Sequence, residues 1–296
     1  MYELAALGAA LSWTFAALLA GDLSRKLGGI TFSRLRNVGV FLVLLIFVSA
    51  GQLWGSINST NLGIILLSGF VGIAIGDTFL FSAMQRLGPR RAQILYACNA
   101  PITVLLGIMF LGERLTWSGV LGVILVFFGV VSAIMWGKPK TKGEAVHRWE
   151  TTEGKLGIAI VLGLIAALGQ AVGAIIIKPA LDAGAHPMAV STLRVGVSAL
   201  FLTLMFTFRN IENPQTIRGQ DWLKSTFNGV LAIGIGMSLL LYAFSIGDVG
   251  IASMLSTTQA VMLLPVIWIK TKQRPALGAW VGALMVIAGA SIIFGL

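Results

Sequence analysis

One carboxylate interrupts a long apolar stretch of the chain. Asp77 lies in GIAIGDTFLFSAMQRLG, nine residues before Arg86. At 1.5 Å per helical residue this separation is about 13 Å, which places Asp77 near the midplane of a bilayer. A carboxylate at that depth needs a cavity, a partner or a proton. Two interpretations stay open: a site for a substrate amine or a coupling proton, or a helix–helix hydrogen bond to a serine or threonine.

Two arginines occupy matching places in apolar segments. Arg36 lies in SRLRNVGV and Arg194 in STLRVGVS, each one to two turns inside its segment. Matching arginines at similar depths indicate a shared role. That role is either structural, with the side chain reaching the interface or holding nearby carbonyls, or direct contact with a substrate carboxylate.

Polar residues also interrupt two later segments, ILYACNAPIT and MLSTTQAVMLLP. An offset of 160 residues aligns Asn99 with Gln259, so we predict two amides that face one pocket; interhelical hydrogen bonding is the alternative. Elsewhere, a lone amide or aromatic residue in a bundle is more often a packing residue. The predicted substrate-binding residues are Trp13, Asp77, Tyr96, Asn99, Gln170, Tyr242, Ser256 and Gln259.

The sequence lacks a pattern for catalysis, metal binding or a cofactor. The two histidines, His147 and His186, lie apart, and there is no H-E-x-x-H, G-x-S-x-G or P-loop pattern. Cys98 is the single cysteine. We therefore predict that the protein is not an enzyme, binds no metal or cofactor and does not hydrolyse ATP itself.

Composition identifies the elements that hold these residues. Of 296 residues, 57% are hydrophobic and 11% charged, whereas soluble domains carry about 25% charged residues. The chain is predicted to be an all-α integral membrane protein, with a first segment that is retained rather than cleaved. The net charge of +10 falls in short gaps between apolar segments, which indicates topology signals rather than nucleic-acid binding.

Apolar runs of about 20 residues predict ten transmembrane helices. The predicted spans are 3–23, 31–51, 62–86, 90–111, 116–136, 156–178, 187–208, 221–246, 249–270 and 276–295. They divide into a first five-helix repeat at 1–137, a cytoplasmic linker at 138–155 and a second repeat at 156–296.

The repeat is visible in the sequence itself. Residues 72–123 align without gaps on residues 232–283, and Asp77 then falls on Met237. Basic residues concentrate in alternate gaps, so the positive-inside rule places those gaps in the cytoplasm and both termini outside. Five helices per repeat is an odd number, and the second repeat is therefore predicted to be inverted.

Small residues four apart recur in the last helix of each repeat. Ser118 with Gly122 and Gly278 with Gly282 favour close helix packing, within one chain or between two. The prediction is a monomer or a homodimer.

Several motifs resemble the drug/metabolite transporter superfamily, in its EamA-like branch. LGERLTWSGVLGVILVFFGVV, residues 111–131, is similar to the junction of the fourth and fifth helices, and LSWTF at 11–15 to the first helix. The Leu-Arg pairs that end at Arg36 and Arg194 resemble the second helix of each repeat. The chain departs from the family pattern in the second repeat, where Gln273 stands at the position that corresponds to Glu113.

The resemblance implies transport of small metabolites, commonly amino acids or related compounds, in either direction. We predict a secondary transporter in the plasma membrane of a prokaryote, with alternating access to a cavity between helices 1, 3, 4, 6, 8 and 9 and Asp77 as the proton-coupling candidate. Its partners would be the lipid bilayer, the solute and coupling protons, without nucleic acid. A passive channel and a membrane scaffold or sensor without flux are the alternatives. Many family members are described with cytoplasmic termini, and the charges here predict the reverse.

Overall fold

A computed structural model describes residues 1–135, 156–209, 217–271 and 277–294. These residues form α-helices with short π-helical and 3₁₀ segments, and no strand occurs among them. The linker predicted at 138–155 lies outside the described residues, as does Gln273. The all-α prediction is therefore confirmed for the described part of the chain.

Six α-helices lie within residues 1–135. They are α1 (Tyr2–Leu27), α2 (Gly29–Ala50), α3 (Ser59–Gly69), α4 (Thr78–Ala97), α5 (Asn99–Leu106) and α6 (Trp117–Met135). Gly28 separates α1 from α2 with φ of 81°, a conformation that a residue with a Cβ adopts only under strain. This glycine lets two long helices reverse direction within a single residue.

Seven α-helices follow in the part of the second half that the structure describes. They are α7 (Leu156–Asp182), α8 (Pro187–Arg209), α9 (Gly219–Gly229), α10 (Ser238–Ile246), α11 (Val249–Ser256), α12 (Gln259–Thr271) and α13 (Leu277–Phe294). Pro265 lies inside α12. Neighbouring helices can satisfy the backbone groups that a proline frees, so apolar helices tolerate it.

Two π-helical segments occupy matching places in the two halves. Phe70–Asp77 joins α3 to α4, and Val230–Met237 joins α9 to α10. Both are eight residues long and their numbers differ by 160, the same offset that aligns the sequence. Such wide turns leave carbonyls available to other groups and often mark functional places in helices.

Helices α6 and α13 pack through glycines that exchange roles. A Cβ on Gly129 would lie 2.7 Å from the carbonyl oxygen of Gly282, and a Cβ on Gly289 would lie 2.7 Å from that of Gly122. The absence of side chains lets the two backbones approach closely. The predicted close-packing role of Gly122 and Gly282 is thus met between two helices of one chain.

The boundary between the third and fourth predicted helices differs from the sequence prediction. We predicted a gap between spans 62–86 and 90–111, yet α4 continues to Ala97 and the break falls at Cys98. The basic residues Arg86, Arg90 and Arg91 suggested the gap, because they interrupt the apolar run. In the second half the chain does break at the equivalent place, between Ile246 and Val249.

Among the described residues, five helical stretches are long and apolar enough to cross a membrane. If the bent pair Tyr2–Ala17 and Leu19–Leu27 forms one span, there are six. Four further apolar helices are shorter, with 10 to 17 residues each. The long stretches are Gly29–Ala50, Ser59–Leu87, Leu156–Asp182, Pro187–Thr207 and Gly219–Ile246. Ten crossings stay a prediction.

Candidate functional site

A small cavity lies among α1, α2, α4 and the second π-helical segment. Its volume is about 70 Å³, enough for a few water molecules or one small chemical group. The lining residues are Trp13, Ala16, Ala17, Ala20, Arg36, Asp77, Leu80, Phe81, Met84, Tyr96, Asn228, Ala232, Ile233, Met237 and Gln259. Helix α7, which we predicted would contribute to the wall, supplies none of these residues.

An ion pair lies in the wall of this cavity. Arg36 Nη2 donates a hydrogen bond to Asp77 Oδ2, and both side chains are almost fully buried. The Arg36 guanidinium also stacks 4.7 Å from the ring centre of Phe81, and its Nε donates to Asn37 Oδ1 at 3.2 Å. Each charge therefore has its counter-ion at a depth where an unpaired charge is costly.

The pairing gives each of these two residues a partner that the sequence did not predict. Arg36 reaches Asp77 on the neighbouring helix rather than the membrane interface. The serine–threonine contact in this region belongs to the next residue, since Thr78 Oγ1 lies 3.2 Å from Ser33 Oγ. Together these contacts connect α2 to the start of α4.

Arg194 occupies the matching place in the second half, but its neighbour is not a carboxylate. Nη1 of Arg194 lies 3.5 Å from the sulfur of Met237, the residue that aligns with Asp77. The side chain is 1% exposed, and its Nε and Nη2 make no hydrogen bond within the described residues. Gln170 Oε1 is likewise buried without a partner there. At this aligned position the first half therefore carries a negative charge that the second half lacks.

Side chains of α1 satisfy the carbonyls that the second π-helical segment leaves available. Ser12 Oγ donates to Leu231 O and Trp13 Nε1 donates to Ala232 O, both at 2.6 Å. Asn228 Nδ2, one turn earlier, donates to Ala16 O at 2.7 Å. These bonds place the indole of Trp13 in the cavity wall, against the wide turn.

Glu113 binds the first turn of α11 at the end of the molecule where α1 begins. Its carboxylate oxygens accept hydrogen bonds from Val249 N at 2.6 Å and Gly250 N at 3.1 Å, and so cap α11. Burial raises the pKa of the Glu113 carboxyl above its ordinary value, although the two N–H groups act in the opposite direction. Beside this cap, the ring of Tyr2 fills the space that a side chain at Gly247 would need.

A second set of contacts lies at the opposite, basic end. Lys26 Nζ forms an ion pair with Asp221 Oδ1 at 2.5 Å, which joins α1 to α9. Asp221 also accepts from the backbone N–H of Arg218 at 3.2 Å. Gln85 Oε1 accepts from Gly29 N at 3.1 Å and links α4 to the start of α2.

Four of the eight predicted substrate-binding residues line the cavity: Trp13, Asp77, Tyr96 and Gln259. The other four do not. Asn99 donates to the carbonyl of Tyr96 at 2.6 Å.

Ser256 is buried and donates to Ser253 O at 2.7 Å, within its own turn. Gln170 lies behind the wall, beside Gly72 and Arg194. Tyr242 is 44% exposed and does not line the cavity. Sequence reasoning missed Asn228 and the three small residues of α1 that form one wall. A run of alanines at helical spacing was the available signal, and it is equally typical of packing.

Comparisons with known proteins agree with this architecture. The chain matches the model of the EamA-like transporter family over residues 1–135 and 157–295. None of the curated proteins matches the sequence. A solved structure, described only as a crystal structure of a protein, has the same fold with a TM-score of 0.78 and 17% sequence identity; the alignment covers 98% of this chain and 95% of that one.

Proposed function

Since this chain belongs to the EamA-like transporter family, we propose that it carries a small metabolite through the cavity around Asp77 by alternating access. It is a multi-pass membrane protein and a transporter of the drug/metabolite type. The observation that carries the finer proposal is the buried Arg36–Asp77 pair in the wall of a cavity. Ionisable residues at membrane depth are costly and usually mark the path of a substrate or ion.

The proposed architecture is ten crossings in two inverted five-helix repeats. Three observations support it: the matched π-helical segments, the exchange of glycine contacts between α6 and α13, and a family match that falls into two stretches. Transporters with this symmetry use it to present one central site to either side. The basic gaps would face the cytoplasm of a prokaryote and both termini the outside.

On α1 the lining of the cavity runs from Trp13 to Ala20, in the direction of Lys26. Asp77, at the end of the first π-helical segment, and Leu80 to Met84 on α4 also line it. At the other end of the molecule, Glu113 caps α11 and the ring of Tyr2 packs against Gly247. In this proposal these contacts block access to the cavity from that end. We propose that solute enters this state from the basic end, and that the opposite end opens when α11 moves away from Glu113.

Asp77 is the proposed coupling residue. Its carboxylate is held by Arg36, so a proton or a solute amine must compete with the guanidinium for it. Loss of this bond would free α4 to move relative to α2. Coupling would then follow from exchange of partners on one carboxylate, without a second acidic residue.

The test is uptake of radiolabelled amino acids and related small metabolites into proteoliposomes, with and without a pH gradient. Asp77→Asn removes the carboxylate, and Asp182→Asn is the matched control because Asp182 is half exposed and pairs with Lys178 away from the cavity. We expect saturable uptake that responds to the gradient in the wild type and the control, and loses that response in Asp77→Asn.

Other results would contradict the proposal in different ways. Uptake that does not saturate and ignores the gradient would indicate a passive channel. No uptake of any compound would favour the scaffold or sensor. Saturable uptake that is unchanged in Asp77→Asn would leave a carrier in which Asp77 is structural.

A further inference from the structure

The two halves of the molecule place an arginine at the same position but balance its charge differently. In the first half Arg36 donates to Asp77, and in the second half Arg194 donates to the sulfur of Met237. These two neighbours align at the offset of 160 residues. Among the described residues around the cavity there are thus two buried guanidinium groups and one carboxylate.

Arg194 is poorly satisfied by the groups around it. A thioether is a weak acceptor, and two further nitrogens of the guanidinium, Nε and Nη2, find no acceptor in the described residues. Asp77 is near enough to act on Arg194 electrostatically, but its hydrogen bond goes to Arg36. One carboxylate cannot neutralise two guanidinium groups, and a buried cation without a partner is strongly unfavourable.

The unpartnered atoms of Arg194 and Gln170 converge on one place. A Cβ on Gly72 would lie 2.9 Å from Arg194 Nη2 and 3.8 Å from Gln170 Oε1. Because residue 72 is glycine, its backbone can lie against both groups; a side chain there would collide with the Arg194 guanidinium. A donor pair and an acceptor beside one another suit a carboxylate that carries a hydroxyl group on the adjacent carbon.

One flexible side chain contacts both this place and the cavity. Met237 lines the cavity, and its sulfur contacts Arg194 on the other side. Methionine is unbranched and has three rotatable bonds, so a rotamer change can open the path without moving the backbone. A solute in the cavity would then meet the guanidinium directly.

We propose that Arg194, with Gln170 beside it, binds the carboxylate of the transported solute, and that the solute is an organic monocarboxylate with a net negative charge. This inference rests on the proposed transport function and names its substrate class. One negative charge on the solute balances the excess positive charge of the site. A zwitterion or a neutral amide would leave that charge unbalanced.

The test measures thermal unfolding of the purified protein in detergent with matched probes. Lactate, alanine and lactamide share one skeleton but differ in charge; pyruvate and 3-hydroxybutyrate extend the carboxylates, and sodium chloride tests an inorganic anion. We expect a carboxylate to raise the unfolding midpoint more than its amide and more than alanine. Arg194→Gln should weaken that binding by about tenfold or more, because a charge-assisted hydrogen bond is lost.

Two substitutions at Met237 keep the inference testable if Arg194→Gln fails to fold. Met237→Asp supplies the counter-ion that Asp77 supplies in the first half, whereas Met237→Asn has nearly the same shape without the charge. We expect Met237→Asp to abolish stabilisation by the carboxylate and to raise the midpoint without ligand relative to Met237→Asn. Met237→Asn should still respond to the carboxylate.

Three results would overturn the inference. They are equal stabilisation by a carboxylate and its amide, an unchanged response in both Arg194→Gln and Met237→Asp, and stabilisation by chloride as strong as by any carboxylate, which would assign the site to an inorganic ion. A carboxylate that binds through Arg194 but is not taken up by proteoliposomes would contradict the transport function alone.

Discussion

The buried ion pair between Arg36 and Asp77 should affect the free energy of unfolding. Removing one partner of a buried ion pair leaves the other charge without compensation, at a cost of about 3 to 5 kcal/mol. We expect Asp77→Asn and Arg36→Gln each to lower the free energy of unfolding by an amount of this order. The double variant should lose less than the sum, because neither charge is then left alone.

A double-mutant cycle in detergent measures this coupling by chemical unfolding. Lys178→Gln with Asp182→Asn is the matched control, since that pair is partly exposed and one turn apart on one helix. Additive losses at Arg36 and Asp77 would show that the two side chains do not depend on one another.

The sequence indicated the depth of Asp77 but not its partner. Depth follows from the nine residues between Asp77 and Arg86, which any straight helix preserves. The partner lies 41 residues away, on a helix whose packing against α4 no local pattern specifies. The alignment of Asp77 with Met237 predicted that the two halves differ at this position. The structure shows the consequence: Arg194 has a methionine sulfur beside it, where Arg36 has a carboxylate.

The cap that Glu113 places on α11 belongs to the packing of whole elements. Glu113 follows the fourth span of the first half and binds the first turn of a helix 136 residues later. We expect Glu113→Gln to lower the free energy of unfolding by about 1 to 2 kcal/mol, because the hydrogen bonds that cap α11 are disturbed. Gly107→Ala should have a similar effect, because its new methyl group would occupy the position of the carboxylate.

The difference in the free energy of unfolding between wild type and Glu113→Gln should depend on pH, because only the wild-type residue titrates. Its pKa is raised in the folded protein from an ordinary value of 4.5, so the folded state holds the proton more tightly than the unfolded state. That stabilisation is complete below pH 4.5 and is lost as the pH rises through the folded pKa. The stability gap between wild type and Glu113→Gln should therefore narrow upward from pH 4.5, and a gap that widens would contradict the assignment.

Glycine contacts between α6 and α13 test the relation of the two halves. Gly129→Ala and Gly289→Ala each push a methyl group against the backbone of the opposite helix, at a cost of about 1 to 3 kcal/mol. Because the contacts exchange roles, we expect the two variants to lose similar stability in thermal unfolding. Gly157→Ala is the control, since nothing lies within 4 Å of its new Cβ.

For the whole molecule, hydropathy and the repeat allowed the membrane class, the all-α fold and the matched halves to be predicted. These features depend on local composition and on a fixed offset in the sequence, so they can be predicted without knowing how the helices pack. The cavity wall was harder to predict because Ala16, Ala17 and Ala20 resemble ordinary packing residues and Asn228 has a backbone partner on α1. Which polar residues meet depends on contacts between distant helices.

Labelling of the cavity wall tests most directly whether solute passes through this cavity. In a background where Cys98 is serine, Ala20→Cys places one thiol in the wall, and Gly157→Cys places one on α7 with no neighbour within 4 Å of its Cβ. We predict that a thiol reagent abolishes uptake of the transported solute in Ala20→Cys only, and that saturating solute slows the modification. Full uptake after complete modification of the thiol at position 20 would contradict a transport path through this cavity.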